Sequence, residues 1–133
     1  LNKKSGLYGM GGIESGDMRD LEAAAENGNK RAQLALDMFV RRIVKYIGAY
    51  FVLVPKLDAL VFTGGIGEFS PYARAHILNS LGALGASCDE AANAGCRGKV
   101  CVISGKGSKI KAIVMPTDEE LMIARTTLKL TSK

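Results

Sequence analysis

The sequence predicts an α/β fold on three observations. The apolar run Ala59–Phe62, preceded by Asp58, has the length of an inner strand. It runs through Gly64, Gly65 and Gly67 straight into Ser70-Pro71, a hydroxyl N-cap followed by a proline at the first helical position. The 133 residues include 16 glycines, many for this length and suited to tight turns between strands and helices.

Each element follows in order. Residues 1–16 carry Gly6, Gly9, Gly11, Gly12 and Gly16 and read as loop, with a short strand at most. Asp17 caps a short helix running to Glu26, and Asn27-Gly28-Asn29 ends it. In residues 30–54, Ala32, Ala35, Leu36, Phe39, Ile43, Tyr46, Ile47, Tyr50 and Val54 recur at helical spacing, and Pro55 stops the helix. Its second half is apolar nearly all round, which fits a central core helix or one at a subunit interface. The helix from Pro71 runs to Leu81, where Gly82 and Gly85 close it. Residues 86–88, 100–103 and 110–115 are β-rich, and 89–99 read as irregular around Asn93, Gly95 and Gly98. Gly105-Lys106-Gly107-Ser108 joins the last two strands as a hairpin or short loop. A final helix covers residues 118–130. No repeat or linker divides the chain, so one domain is expected.

Composition narrows the function. At 47% hydrophobic residues the chain can bury a core, roughly two-thirds of its unfolded surface by size scaling. The most apolar stretch, residues 46–55, is about half the ~20 residues of a membrane span. The net charge of +5 is scattered, and aromatics, at 6%, do not interleave with it, which argues against nucleic acid. Cys88, Cys96 and Cys101 form no C-x-x-C, and with the single His76 they make no zinc set. Reduced thiols in a cytoplasmic protein are the expectation. His76 reads as a surface or boundary residue rather than a base.

A strand, a glycine turn and a helix N-terminus make a seat for a nucleotide; the alternative is a tight structural turn that binds nothing. The turn lacks the third glycine of G-x-G-x-x-G, and no Gly-Lys-Ser/Thr follows it. Gly105-Lys106-Gly107-Ser108 fails as a phosphate loop as well, for want of the earlier glycine.

Four ordered segments carry a family resemblance. Phe62-Thr63-Gly64-Gly65-Ile66-Gly67-Glu68 resembles the adenosine-binding loop of the acetate kinase family, the short-chain acyl kinases. Leu1-Asn2-Lys3-Lys4-Ser5-Gly6-Leu7, Ser15-Gly16-Asp17-Met18-Arg19-Asp20 and Pro116-Thr117-Asp118-Glu119-Glu120-Leu121 resemble further segments of that family, in the same order. The resemblance implies a partial ATPase-type α/β fold, ribonuclease H-like and actin-like, with a mixed sheet flanked by helices. It implies that residues 1–133 are the C-terminal nucleotide-binding domain of a longer two-domain kinase, and Leu1 is not an initiator methionine. The implied reaction moves a phosphoryl group between ATP and acetate, giving acetyl phosphate and ADP, with Mg²⁺. Acetate or another short-chain carboxylate would be held by the missing domain, together with all the catalytic residues. A homodimer in the cytoplasm is implied, with neither nucleic acid nor membrane as partner. The rivals are a propionate or butyrate kinase fragment and a non-catalytic ATPase-fold interaction module.

The resemblance assigns nucleotide contacts to Asp17, Met18 and Arg19 and, in the turn, to Gly65, Ile66, Gly67, Glu68 and Phe69. The guanidinium of Arg19 can stack on a base or bridge ribose oxygens. Phe69 stands where the family usually has asparagine, which removes an amide donor and acceptor. The metal-side carboxylate falls on Glu119. Spacing selects the same residue: with Thr117 as N-cap, Glu120 is the capping-box partner and Glu119 is left free. Asp118 replaces the family's asparagine and adds a negative charge there.

Overall fold

One helix divides the buried side chains into two groups. The computed structural model describes residues 4–54 and 56–132. In it α3 (Lys30–Phe51) turns Ala32, Ala35 and Leu36 toward Met18 and Leu21 of α2 (Met18–Glu26). One turn later Val40 enters a second group with Phe62, Ile77, Leu78, Ile103, Ala112 and Val114. Asn29 starts α3 by accepting hydrogen bonds from the Arg31 and Ala32 amides, as its place after the Asn27-Gly28 stop requires.

The second group lies on a three-stranded mixed sheet of order β1-β3-β2. β1 (Ala59–Phe62) runs parallel to β3 (Lys111–Val114), with Ala59 opposite Lys111 and Phe62 opposite Val114. β2 (Cys101–Val102) lies antiparallel on the other side of β3, joined to it by the expected hairpin. The sequence expectation of an α/β fold with a mixed sheet flanked by helices is met. β1 is not the inner strand expected, however. It is an edge of the described sheet, paired only with β3, with Phe62 buried and Val61 49% exposed.

Three loop expectations are corrected. Residues 6–11 form α1 (Gly6–Gly11), whose Leu7 and Met10, three apart, pack on the α2–α3 group and outweigh the poor helix propensity of glycine. The glycine turn is itself helical, as α4 (Gly64–Phe69), before α5 (Pro71–Ser80) begins at Ser70, whose hydroxyl accepts the Ala73 amide. The irregular stretch contains α6 (Glu90–Ala94), capped by the Asp89 carboxylate on the Ala92 amide. Residues 86–88 contribute a single bridge, Cys88 opposite Ser104, rather than a strand.

The second half of α3 is not a core helix. Tyr46, Tyr50, Val52 and Leu53 are exposed, and only Ile43, Val44 and Ile47 touch the core. Nothing among the described residues covers that face. Pro55, expected to end the helix, lies outside the described residues, as do Leu1, Asn2 and Lys3 of the first family-like segment. No helix among the described residues is long and apolar enough to cross a membrane.

The expected reduced thiols are also corrected. Cys96 and Cys101 are bonded to each other, with Cα atoms 6.1 Å apart, and Cys88 is the free cysteine. The chain reverses between α6 and β2, and the five-residue separation brings the two together.

Candidate functional site

A cleft of about 690 Å³ opens between α2 and α4. Gly16, Asp17, Met18 and Arg19 line one side, and Gly65, Ile66 and Phe69 line the other. Sequence reasoning placed six of these seven in a nucleotide site; the structure brings them together across 46 or more residues of chain.

Asp17 and Arg19 are a preorganised pair. The Asp17 carboxylate accepts the Arg19 amide at 2.9 Å, capping α2, and also takes Nε at 3.1 Å and Nη2 at 2.8 Å. The Arg19 side-chain hydrogen bonds, then its amide, lower the Asp17 pKa from 3.8 to about 2, and the same pairing raises that of Arg19. Because the acid's pKa is depressed, the pair is intact above about pH 4 and is lost as pH falls through about 2. The cap is the ordinary role available to such an aspartate; the two side-chain hydrogen bonds from the largely exposed guanidinium go beyond it.

The three glycines of the turn do different jobs. Gly64 takes φ +71°, which only glycine adopts readily. Gly65 has open space where a Cβ would stand, on the cleft side. Gly67 faces the other way, where a Cβ would stand 3.1 Å from the Phe62 carbonyl carbon, so it sets how closely the turn packs on β1.

Glu68 sits behind the cleft, not in it. It is 6% exposed, and its Oε1 accepts the Gly64 amide at 3.0 Å, the Thr117 amide at 3.0 Å and the Thr117 hydroxyl at 3.2 Å. One carboxylate thereby ties the start of α4 to the turn that leads into α7 (Glu119–Thr131). The structure thus places Gly67 and Glu68 as scaffold to the residues that line the cleft.

That tie changes the start of α7. Thr117 is occupied with Glu68, and the N-cap is Asp118, whose carboxylate accepts the Leu121 amide at 2.9 Å. The helix begins one residue later than the sequence suggested, so the third helical position is Leu121 and no capping box forms. Glu119 and Glu120 both become exposed first-turn carboxylates without a hydrogen bond or ion pair among the described residues. The spacing argument for Glu119 therefore falls, and only the family resemblance separates the two. No group of three or more His, Cys, Asp or Glu that could hold a metal exists among the described residues. A free carboxylate oxygen still fits Mg²⁺, which takes one or two carboxylates and fills its shell with water and phosphate oxygens.

Sequence reasoning missed Arg74. Its guanidinium is fully buried, and no carboxylate among the described residues pairs with it. It donates to Asn93 Oδ1 at 2.7 Å and to the carbonyls of Gly67 (2.9 Å), Glu68 (2.8 Å), Asn93 (2.9 Å) and Cys96 (2.9 Å). These carbonyls belong to the C-terminal ends of α4 and α6, where a cation is favoured. Burial lowers the Arg74 pKa. An arginine mid-way along a helix carries no sequence signal for this role. Ser70 and Glu22 were also missed; the Ser70 hydroxyl donates to Glu22 Oε1 at 2.5 Å, bracing α2 against the start of α5 beside the cleft. His76 is exposed and stacked on Tyr72, as a surface residue.

A glycine turn at the C-terminal end of a parallel strand, facing a fixed aspartate–arginine pair across a cleft, is how α/β proteins seat nucleotide-sized ligands. The particular family follows from comparison: the chain matches the Acetokinase family over residues 1–125 and belongs to it. It is 55% identical over 130 residues to an acetate kinase of Desulforamulus reducens, covering 98% of this chain and 32% of that protein. With an acetate kinase of Clostridioides difficile it shares 51% over 130 residues, again 98% of this chain and 32% of the relative. A crystal structure of Porphyromonas gingivalis acetate kinase superposes with a TM-score of 0.87 at 46% identity, over 97% of this chain and 32% of that one. A propionate kinase from Francisella tularensis superposes with a TM-score of 0.85 at 40% identity, over 94% and 31%. The chain thus spans about a third of the length of the curated relatives it matches.

Proposed function

We propose that this chain is the nucleotide-binding part of an acetate kinase, which moves a phosphoryl group between ATP and acetate to give acetyl phosphate and ADP. The observation that carries the reading is the meeting of Asp17, Met18 and Arg19 with Gly65, Ile66 and Phe69 across one cleft. Residues 1–133 then form the C-terminal domain of a two-domain enzyme, cytoplasmic and homodimeric. The acyl pocket and the groups that act on the moving phosphoryl lie in the rest of it.

The adenine nucleotide lies along Gly65 and Ile66, with Arg19 opposite. Phosphoryl transfer is governed by positioning and charge neutralisation, and Mg²⁺ supplies part of the latter. Glu119 would offer that ion one carboxylate oxygen. Replacing Glu119 by alanine in the full-length parent lowers phosphoryl transfer and shifts its Mg²⁺ dependence; the same effect from Glu120→Ala alone moves the metal assignment to that residue. Propionate as the acid is the second reading, favoured by the likeness to the Francisella tularensis propionate kinase.

Two measurements test the proposal. Amide chemical shifts of the chain titrated with ATP should move at residues 16–19, 65–66 and 69, and changes confined elsewhere would refute the site. The full-length parent, assayed with ATP and acetate or propionate, should form the acyl phosphate of one of them. A parent that binds nucleotide and forms neither, nor butyryl phosphate from butyrate, is an interaction module rather than a kinase.

A further inference from the structure

The loop between α6 and β2 is both a wall of the cleft and an anchor for its glycine turn. Arg97 lines the cleft. Gly98, at φ +59°, lies against the Phe69 ring, where a Cβ would stand 3.4 Å from Cε1. The Cys96 carbonyl accepts Arg74 Nη2, and Nη1 of the same guanidinium holds the Gly67 and Glu68 carbonyls. Residues 97–100 are all exposed, and the Cys96–Cys101 bond closes the loop. Without that bond, the anchored Cys96, the packing of Gly98 on Phe69 and the start of a two-residue strand would hold it.

We propose that Cys96 and Cys101 form a thiol–disulfide site whose redox state sets the nucleotide affinity of the cleft. The inference rests on the nucleotide reading above. The reductant is a small thiol of the glutathione class. Cys96 is fully buried and Cys101 is partly exposed, so the incoming thiolate attacks Cys101 Sγ. A mixed disulfide forms there, and Cys96 leaves as a thiolate that takes up a proton. A second thiolate attacks the small molecule's sulfur in the mixed disulfide and departs as the small-molecule disulfide, and Cys101 leaves as a thiolate that takes up a proton. Two electrons have then passed to the protein sulfurs. Oxidation runs the same steps backward, with that disulfide as the oxidant.

Cys88 stands apart from this exchange. Burial, with the charges of Glu90 and Asp89, pushes its thiol up to about 11, so it stays protonated and a poor nucleophile near neutral pH. Reduction frees residues 97–100 from the closed ring. Arg97 and Gly98 lose their fixed place beside Phe69, and the Cys96 carbonyl is held less firmly against Arg74.

The test equilibrates the chain with oxidised or reduced glutathione, quenches and unfolds an aliquot in alkaline denaturant so that every free thiol reacts, counts thiols by alkylation and mass, and titrates each form with ATP. Oxidised chain should alkylate at Cys88 only, and reduced chain at all three cysteines. Reduction should raise the ATP dissociation constant on the order of tenfold, within the usual range of coupling between two sites. Cys101→Ser should sit at the weaker value in both conditions, and Cys88→Ser should keep the full response. Reduced wild type serves the same comparison should Cys101→Ser not fold. Three alkylated cysteines under oxidised glutathione overturn the proposal, and so does a bridge whose reduction leaves ATP affinity unchanged. ATP binding in neither state strikes the nucleotide reading itself.

Discussion

Glu68 shows how one residue's environment revises its role. Its type and place in the turn suggested a nucleotide contact, but its carboxylate is buried and accepts hydrogen bonds from both Gly64 and Thr117. Removing it takes the acceptor from the Gly64 and Thr117 amides, and because Thr117 is exposed and Gly64 half-buried, water replaces part of it, leaving a loss of about 1 kcal/mol. Glu68→Ala should therefore lower stability by about that amount and weaken ATP binding as well, since the turn and the α7 start come apart together. Glu68→Gln keeps an acceptor oxygen and should retain most of both. Denaturant unfolding and ATP titration of the two variants check this. Loss of ATP binding by Glu68→Gln at unchanged stability would return Glu68 to the list of direct contacts. The amino-acid sequence could not show this, because the partner at Thr117 is 49 residues away.

Elements with strong local signals were legible. Asp17 and Ser70 announce helix starts by side-chain capping, and each does cap in the structure; Asn29, read only as part of the stop before α3, caps that helix as well. Where two capping residues adjoin, as at Thr117-Asp118, local sequence leaves the register open, and a tertiary contact decided it. Thr117 is drawn to Glu68, so Asp118 becomes the cap. α1 and α6 were missed for the opposite reason: glycines hide the first, and the second is a single short turn. The corrected register makes a prediction. Asp118→Ala should remove the cap of α7 at about 1 kcal/mol of local helix stability, while Glu120→Ala should leave it. Since α7 buries none of its residues, the loss should show as faster amide exchange in residues 119–123 with the global unfolding midpoint little changed. Faster exchange from Glu120→Ala and none from Asp118→Ala would restore Thr117 as the cap.

Across the whole molecule, two large apolar surfaces face outward. Tyr46, Tyr50, Val52 and Leu53 stand out at the end of α3, and Met122, Ile123, Leu128 and Leu130 along α7. Sequence periodicity marked the first as buried, since it registers that a face is apolar but not which chain segment covers it. Surfaces of this kind on a chain that spans about a third of its relatives fit a domain made to pack against more protein. The cleft has the same character. It is walled by Asp17–Arg19, Glu22, Glu26 and the glycine turn, with Arg97 as its other cation among the described residues, and that lining offers two cations against three carboxylates. On the proposed function, nucleotide binding and phosphoryl transfer are separable in this chain. The purified chain should bind ATP weakly and should form no acetyl phosphate from ATP and acetate. Trapping the acyl phosphate with hydroxylamine measures this directly, against a blank without protein. Turnover above that blank would show that these residues hold a complete active site, and the assignment of the acyl pocket to the rest of the protein would be wrong.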